Sequence, residues 1–272
     1  MSAQDEPPAD KIAEWRKAAE QGFAPAQFNL GLCYSKGKGV AKDAVEAAKW
    51  YRKSAEQGDA DAQFNLGIFY ANGKGVAKDT VEAAKWYRKA AEQGDADAQF
   101  NLGFCCENGE GVAKDEAEAV KWFQKAADQG HASAQGKLGV SYALGVGVSK
   151  DAVEAAKWYR KAAEQGDTNA QFNLGVCCEN GEGVAKDEAE AVKWFQKAAD
   201  QGCANAQINL GVCYANGAGV AKDVVEAYKW LNLAAASGDQ RSGKNRESIS
   251  KKMTPGQIAE AQRLSREWKP NK

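Results

Sequence analysis

The chain has 272 residues, and its 36 lysines and arginines nearly balance its 37 aspartates and glutamates, which leaves a net charge of −1. A protein that binds nucleic acid or an anionic membrane would need a basic excess, so the charge balance argues against both kinds of partner. The apolar stretches are short, and no segment is predicted to cross a bilayer. The single histidine, His131, excludes zinc motifs that need several histidines.

The first ten residues, MSAQDEPPAD, are acidic and lack the apolar core of a signal peptide. The sequence therefore predicts a cytoplasmic protein, or a periplasmic or secreted one if a signal was removed before this numbering begins. The stretch DKIAEWRKAAEQG matches the second half of the repeat that follows it in the chain. Residues 1–22 are therefore predicted to form an N-terminal tail and a capping helix.

A unit of 36 residues occurs six times between residues 23 and 238. An Ala-Gln pair, a Leu-Gly pair and a tryptophan return at this spacing. In the second repeat they include Gln63, Gly67 and Trp86. Such a period is typical of helical repeat proteins, in which each unit buries its faces against its neighbours. After Gly238 the register decays, and residues 239–272 are predicted to form C-terminal capping helices, the last of which starts at Thr254.

The pattern within each unit predicts two helices. In the second repeat, apolar residues on two faces predict a first helix over Ala60–Asn72 that has neighbours on two sides. Asp79 and Glu82 form an aspartate version of the capping box, in which the aspartate accepts from first-turn amides and the glutamate reaches back. They predict the start of a second helix, which Gly94 would end in a left-handed conformation.

Two features of the glycines complete this interpretation. Gly67 is predicted to lie where neighbouring helices cross closely, because it removes a side chain from the contact. The GKG and GEG loops between the helices could suggest a phosphate site. However, the Walker and dinucleotide motifs are absent and all six units keep both glycines, so turn geometry is the favoured explanation.

The pattern A-x-A-Q-F-N-L-G-x-x-Y-x-x-G-x-G-V-x-x-D-x-x-E-A-x-x-W-Y-x-K-A-A-x-x-G resembles the Sel-one-like repeat, a relative of the tetratricopeptide repeat. The resemblance implies an all-α fold, a right-handed α-solenoid of antiparallel helix pairs whose first helices line a concave surface. It also implies a non-catalytic scaffold or adaptor that binds a partner segment along that surface. We expect a monomer with a protein or peptide partner, without nucleic acid, membrane insertion, metal or cofactor.

The leading candidate for partner binding is one asparagine position on the first helices. It holds Asn29, Asn65, Asn101, Asn173 and Asn209. Asn72 falls beside Asn65 on the helix projection. In tetratricopeptide relatives an asparagine at the matching place hydrogen-bonds the backbone of an extended peptide, and an amide suits this because it both donates and accepts. A hydrogen bond to the loop of the neighbouring repeat is the alternative. The glutamines two residues earlier, such as Gln63, fall toward the packed side and are predicted to be structural.

The fourth repeat departs from the others on its first helix, while its second helix is unaltered. Lys137 replaces the asparagine, and Gly136, Ser141 and Leu144 replace other consensus residues. On the helix projection Lys137, Ser141 and Leu144 share the strip assigned to the concave side. We therefore expect a ligand-specific contact, with Lys137 meeting an acidic side chain or a chain-terminal carboxylate of the partner. Drift in one copy of the repeat is the alternative.

The seven cysteines are predicted to be free thiols in or near the core. Four of them, Cys33, Cys105, Cys177 and Cys213, share one first-helix position. The same position in stacked repeats lies too far apart for a disulfide, and an odd count fits a reducing compartment. Disulfides or metal binding are the alternative.

An enzymatic function is the alternative to the scaffold, and it rests on analogy alone. Some cysteine-rich relatives have been linked to penicillin binding and β-lactam hydrolysis. No Ser-His-Asp or Cys-His constellation is indicated here, and His131, at the start of a first helix, is expected to be exposed and without a catalytic role. A rigid spacer with no ligand is a third interpretation.

Overall fold

The computed structural model describes residues 7–271, and within them the regular secondary structure consists of fifteen α-helices and no strands. The helices are α1 Ala9–Glu20, α2 Ala24–Lys36, α3 Ala44–Glu56, α4 Ala60–Asn72, α5 Thr80–Glu92, α6 Ala96–Asn108, α7 Glu116–Asp128, α8 Ala132–Leu144, α9 Ala152–Glu164, α10 Thr168–Asn180, α11 Glu188–Asp200, α12 Ala204–Asn216, α13 Val224–Ala236, α14 Gln240–Ser250 and α15 Pro255–Glu267. The predicted N-terminal tail includes residues 1–6, which lie outside the described residues, as does Lys272.

The even-numbered helices α2 to α12 are the first helices of the repeats, and the odd-numbered helices α3 to α13 are the second helices. By the density of its internal contacts the chain divides into two units, Met1–Ala134 and Gln135–Lys272. In the first unit each helix from α1 to α7 packs against the next one in the chain. In the second unit α9 to α14 do the same, and α15 packs on α13. This consecutive packing of helix pairs confirms the predicted all-α solenoid fold class.

Aspartates begin the second helices, as the sequence predicts, but their glutamates act differently. Asp79 is the N-cap of α5, and its carboxylate accepts a hydrogen bond from the Glu82 amide at 2.9 Å. The Glu82 side chain does not reach back; it pairs with Lys85 at 3.2 Å. The Asp79 amide already donates to the Tyr70 carbonyl of α4 at 3.0 Å. Because that donor is used between the two helices, half of the expected capping box is wrong.

Glycines fix both the helix ends and the closest helix contact. Gly94 follows the end of α5 with a φ of +99°, a conformation that side chains rarely tolerate. A Cβ atom added to Gly67 on α4 would lie 2.6 Å from the Tyr87 ring of α5, so this position cannot carry a side chain without movement. Both predictions for these glycines are confirmed. In the loop after α4, a Cβ on Gly75 would lie 2.0 Å from the Ala44 carbonyl oxygen, so the loop packs on the preceding repeat.

The C-terminal segment contains two helices. α15 begins as predicted: Thr254 and Gln257 form a full capping box, with Pro255 in the first helical turn. The Trp268 ring lies 6.2 Å from the Trp230 ring of α13, edge to face, which holds the end of α15 on the second unit. Within the described residues, no helix combines the length and the apolar character needed to cross a membrane.

Candidate functional site

Two polar rows, two residues apart, follow the first helices, and the inner one is formed by glutamines. These are Gln27, Gln63, Gln99, Gln135, Gln171 and Gln207, all of them at most 5% exposed. The Gln99 amide donates to the Ala91 carbonyl of α5 at 3.1 Å and accepts at 2.8 Å from the side chain of Gln129, the residue that follows α7. Gln63 makes the equivalent two bonds with Ala55 and Gln93. Gln27 and Gln171 do the same, so these four glutamines join the helices on their two sides, and their predicted structural role is confirmed.

The outer row is formed by the asparagines. Asn29, Asn65, Asn101, Asn173 and Asn209 are all half-buried. The Asn65 amide donates to the Asp61 carbonyl of its own helix at 2.8 Å, and Asn72 does the same with Ile68 at 2.9 Å. Asn65 therefore does not bind the loop of a neighbouring repeat, which was the structural alternative. Within the described residues, the other four members make no side-chain hydrogen bond.

Apolar side chains lie beside the asparagines, three residues further along each first helix. In the first unit Phe104 is 39% exposed, and in the second unit Val140 and Val212 are 37% and 36% exposed. We call this surface the asparagine face: the asparagine position, the position three residues later and the position seven residues later on each first helix. The asparagine face therefore presents amides and partly exposed apolar side chains together on the first helices.

In the first unit the asparagine face contains a cavity of about 220 Å³ between α4 and α6. Asn72 of α4 and Asn101 of α6 line it together with Phe104, and the Tyr87 ring of α5 contributes to its wall. The structure therefore brings two predicted site residues from consecutive repeats to one cavity. Amides and apolar side chains around such a cavity can bind a main chain and a side chain of a polypeptide at the same time.

In the second unit a cavity of about 410 Å³ lies between α12, α13 and α14. Its lining includes Asn216, Val212 and Leu231 together with Asn245 and Ser248 of α14. Asn245 was missed by the sequence analysis. The only signal is its position, 36 residues after Asn209, in a segment where the leucine and glycine of the repeat are replaced by Arg246 and Glu247.

The four unusual residues of the fourth repeat lie in different surroundings. Leu144 is 68% exposed, and Lys137 is half-buried. Ser141 is only 6% exposed, so its predicted place on a partner-binding surface is wrong. It occupies the buried position that cysteine or phenylalanine fills in other repeats, and this position points into the core. A Cβ on Gly136 would lie 3.8 Å from the Asp167 carboxylate, in ordinary contact.

The cysteines lie in the core as free thiols. All except Cys203 are buried. Burial raises the pKa of the Cys105, Cys177 and Cys213 thiols to about 11, so they stay protonated and unreactive at neutral pH. Within the described residues, histidine, cysteine, aspartate and glutamate side chains nowhere form a group of three that could hold a metal ion.

His131 is not exposed as expected. Its ring stacks on Phe100 with the centroids 4.8 Å apart, and its Nε2 lies 3.1 Å from the Asp97 carboxylate. Its Nδ1 accepts a hydrogen bond from the Ala134 amide, so the imidazole takes the capping role that Asp95 has on α6. The sequence signal is its position, which is aspartate in three other repeats. His131 therefore has a structural role.

A sequence profile described as the Sel1 repeat matches six consecutive segments of the chain. They are residues 24–59, 60–95, 96–131, 132–167, 168–203 and 204–239. The chain belongs to the Sel1 repeat family. Sel1 repeat proteins generally mediate protein–protein interactions, and their fold is generally a non-catalytic scaffold.

Solved Sel1 structures are similar to this Sel1 repeat protein over most of its length. A Sel1 repeat protein from Oxalobacter formigenes is 38% identical, with a TM-score of 0.70, over 83% of this chain and 96% of that one. The c5321 protein, a protective antigen of uropathogenic Escherichia coli strains, is 28% identical, with a TM-score of 0.52, over 96% and 79% of the two chains. No curated protein matches the sequence.

Proposed function

We propose that this Sel1 repeat protein is a non-catalytic scaffold that binds a segment of another protein on its asparagine face. The observation that carries the proposal is the shared cavity of the first unit, where Asn72 and Asn101 meet beside the exposed Phe104. The amides of Asn101, Asn173 and Asn209 make no side-chain hydrogen bond within the described residues, so a partner main chain can supply one.

The apolar positions of the asparagine face provide the second half of the recognition. Phe104, on α6, is 39% exposed beside the cavity. Burying an aromatic ring under a partner side chain is a typical source of binding energy, whereas the flanking amides fix the direction of the bound segment. The near-zero net charge places no strong general demand on the charge of the partner.

The test compares purified baits in affinity capture followed by mass spectrometry. The bait with Asn72→Ala and Asn101→Ala removes the two amides that line the shared cavity. The matched control carries Lys85→Ala and Lys121→Ala, two exposed changes on second helices. Loss of one hydrogen bond costs about 1 kcal/mol, so each amide change is expected to weaken the isolated complex about fivefold.

A partner that the parent and the control bait capture, and that the amide variant releases, supports the proposal. A partner that all three baits bind with one affinity contradicts it, because the asparagine face would then be free in the complex. The enzymatic alternative would instead be supported if the protein hydrolysed a chromogenic β-lactam and this activity copurified with the folded protein through successive columns.

We further infer that the protein works in the cytoplasm or another reducing compartment. All seven cysteines are free thiols without disulfides, and six of them are buried. Titration of the protein in denaturant without reductant should detect all seven thiols. Detection of only one thiol would mean three disulfides and would overturn this inference.

A further inference from the structure

The cavities of the two units occupy equivalent positions of the repeat but have different chemistry. Ser248 stands in the second-unit cavity where Phe104 stands in the first, and Leu231 stands where Tyr87 does. Both exchanges remove an aromatic ring. The second-unit cavity is accordingly larger, about 410 Å³ against about 220 Å³. It can hold a complete aliphatic side chain on an apolar wall formed by Val212, Val224, Leu231 and Ile249.

The charge of the two cavities also differs. Glu110 lines the first-unit cavity, whereas the equivalent position in the second unit is Thr254. Lys222 and Lys252 line the second-unit cavity, and no carboxylate does. The acidic residues nearest in sequence are already engaged. Asp223, beside Lys222, caps α13 and accepts from the Val225 and Glu226 amides. Glu226 pairs with Lys229, and Glu247 pairs with Lys251.

The polar groups of the second-unit cavity have no partners within the described residues. Lys222 and Lys252 form no ion pair there, and the side chains of Asn216 and Asn245 make no hydrogen bond. Ammonium and amide donors that line a cavity together with apolar side chains are complementary to a carboxylate beside an aliphatic side chain. Lys222, Lys252, Asn216 and Ser248 are exposed, so the cavity is open to solvent and to a bound segment.

We propose that this cavity is a subsite for an acidic side chain next to an aliphatic residue within a segment of a partner protein. The proposal rests on the proposed function and adds to it the chemistry of one position. Asn245 and Ser248 belong to α14, after the last matched repeat, so this helix completes the subsite instead of only covering the stack.

The experiment measures fluorescence polarisation of a short labelled peptide that is blocked at both ends and carries one aspartate between two leucines. A second peptide has asparagine in place of the aspartate, and a third places the carboxylate at a free C-terminus. The protein variants are Lys222→Gln with Lys252→Gln, and Ser248→Phe, which restores the ring of the first-unit cavity. Lys78→Gln, at the position of Lys222 in the second repeat, is the matched control.

Exposed ion pairs are individually weak, so removing both lysines should make the aspartate peptide bind about twofold to thirtyfold more weakly at low salt. The loss should shrink as salt rises, because salt screens exposed charges. Ser248→Phe should abolish binding of the aspartate peptide, and Lys78→Gln should leave it unchanged.

Equal affinity for the aspartate and asparagine peptides, or equal binding by the parent and the double lysine variant, would overturn the subsite. No binding of the aspartate peptide at millimolar concentration would overturn it too. Preference for the free C-terminus over the internal aspartate would assign the lysines to a chain end instead. None of these results affects capture through Asn72 and Asn101 in the first unit, so a failed subsite and a failed scaffold are distinguishable.

Discussion

The glutamine row and the asparagine row lie two residues apart on the same helices, yet the structure uses them differently. Gln99 is 4% exposed and bonds to Ala91 and Gln129. Asn101 is half-buried and lines a cavity. Both rows recur with the same period, so recurrence alone does not separate a structural amide from one that is available to a ligand. The distinction is geometric: a step of two residues turns a helical side chain by about 200°.

The largest expected effect on stability comes from a deletion that breaks the 36-residue register, because the glutamine row needs a second helix on each side. Deletion of residues 60–95 removes one whole repeat and should leave a folded, helical, less stable protein, because each repeat contacts only its neighbours. Deletion of residues 60–77 removes half a repeat and should cause collapse, because it leaves a helix face exposed. Circular dichroism and urea unfolding measure both. Equal damage from the two deletions would contradict the register.

A matched pair of substitutions tests the two rows directly. Gln99→Leu keeps the volume but leaves the Ala91 carbonyl and the Gln129 amide without their partner, and an unsatisfied buried group costs about 1–3 kcal/mol. Asn101→Leu removes no observed side-chain bond and should change the free energy of unfolding by less than about 0.5 kcal/mol. Urea unfolding measures both variants. A larger loss for Asn101→Leu would reverse the assigned roles.

The buried cysteines at one first-helix position should make the stability of the protein depend on pH. The folded pKa of Cys105, Cys177 and Cys213 is about 11, above the ordinary value of 9.0, because burial penalises the thiolate. Their contribution to stability is fully present below pH 9.0 and is lost as the pH rises through 11. The thermal midpoint should fall over this range, and the fall should be smaller in a variant with Cys105→Ala and Cys177→Ala. An identical fall in both proteins would show that the thiols do not contribute.

The smallest expected effect concerns the one repeat in which the asparagine row changes. Lys137→Asn restores the consensus and should lower the affinity for a captured partner by about fivefold or less at low salt. The loss of affinity should be smaller as salt rises. Isothermal titration at two salt concentrations measures it. Equal binding by the variant and the parent at both concentrations would mean that Lys137 has no role in recognition.

The sequence predicted the fold because the repeat period, the aspartate N-caps and the glycine helix ends are local signals. It also predicted the glutamine row from the helix projection. The sequence-based prediction was wrong where contacts between two helices decide the outcome. The backbone donor expected to bind Glu82 is used by the Tyr70 carbonyl, and Ser141 lies in the core although the projection placed it near Lys137. Asn245 was missed because its helix keeps the position but loses the surrounding motif.

The most direct test of the central claim is site-specific photo-crosslinking to a captured partner. A benzophenone amino acid replaces either Phe104 on the asparagine face or Val81 on a second helix, and both positions are exposed, at 39% and 50%. If the asparagine face binds the partner, irradiation should give a covalent adduct from position 104 and none from position 81. An adduct from position 81 alone would contradict the account and would place the partner on the second helices.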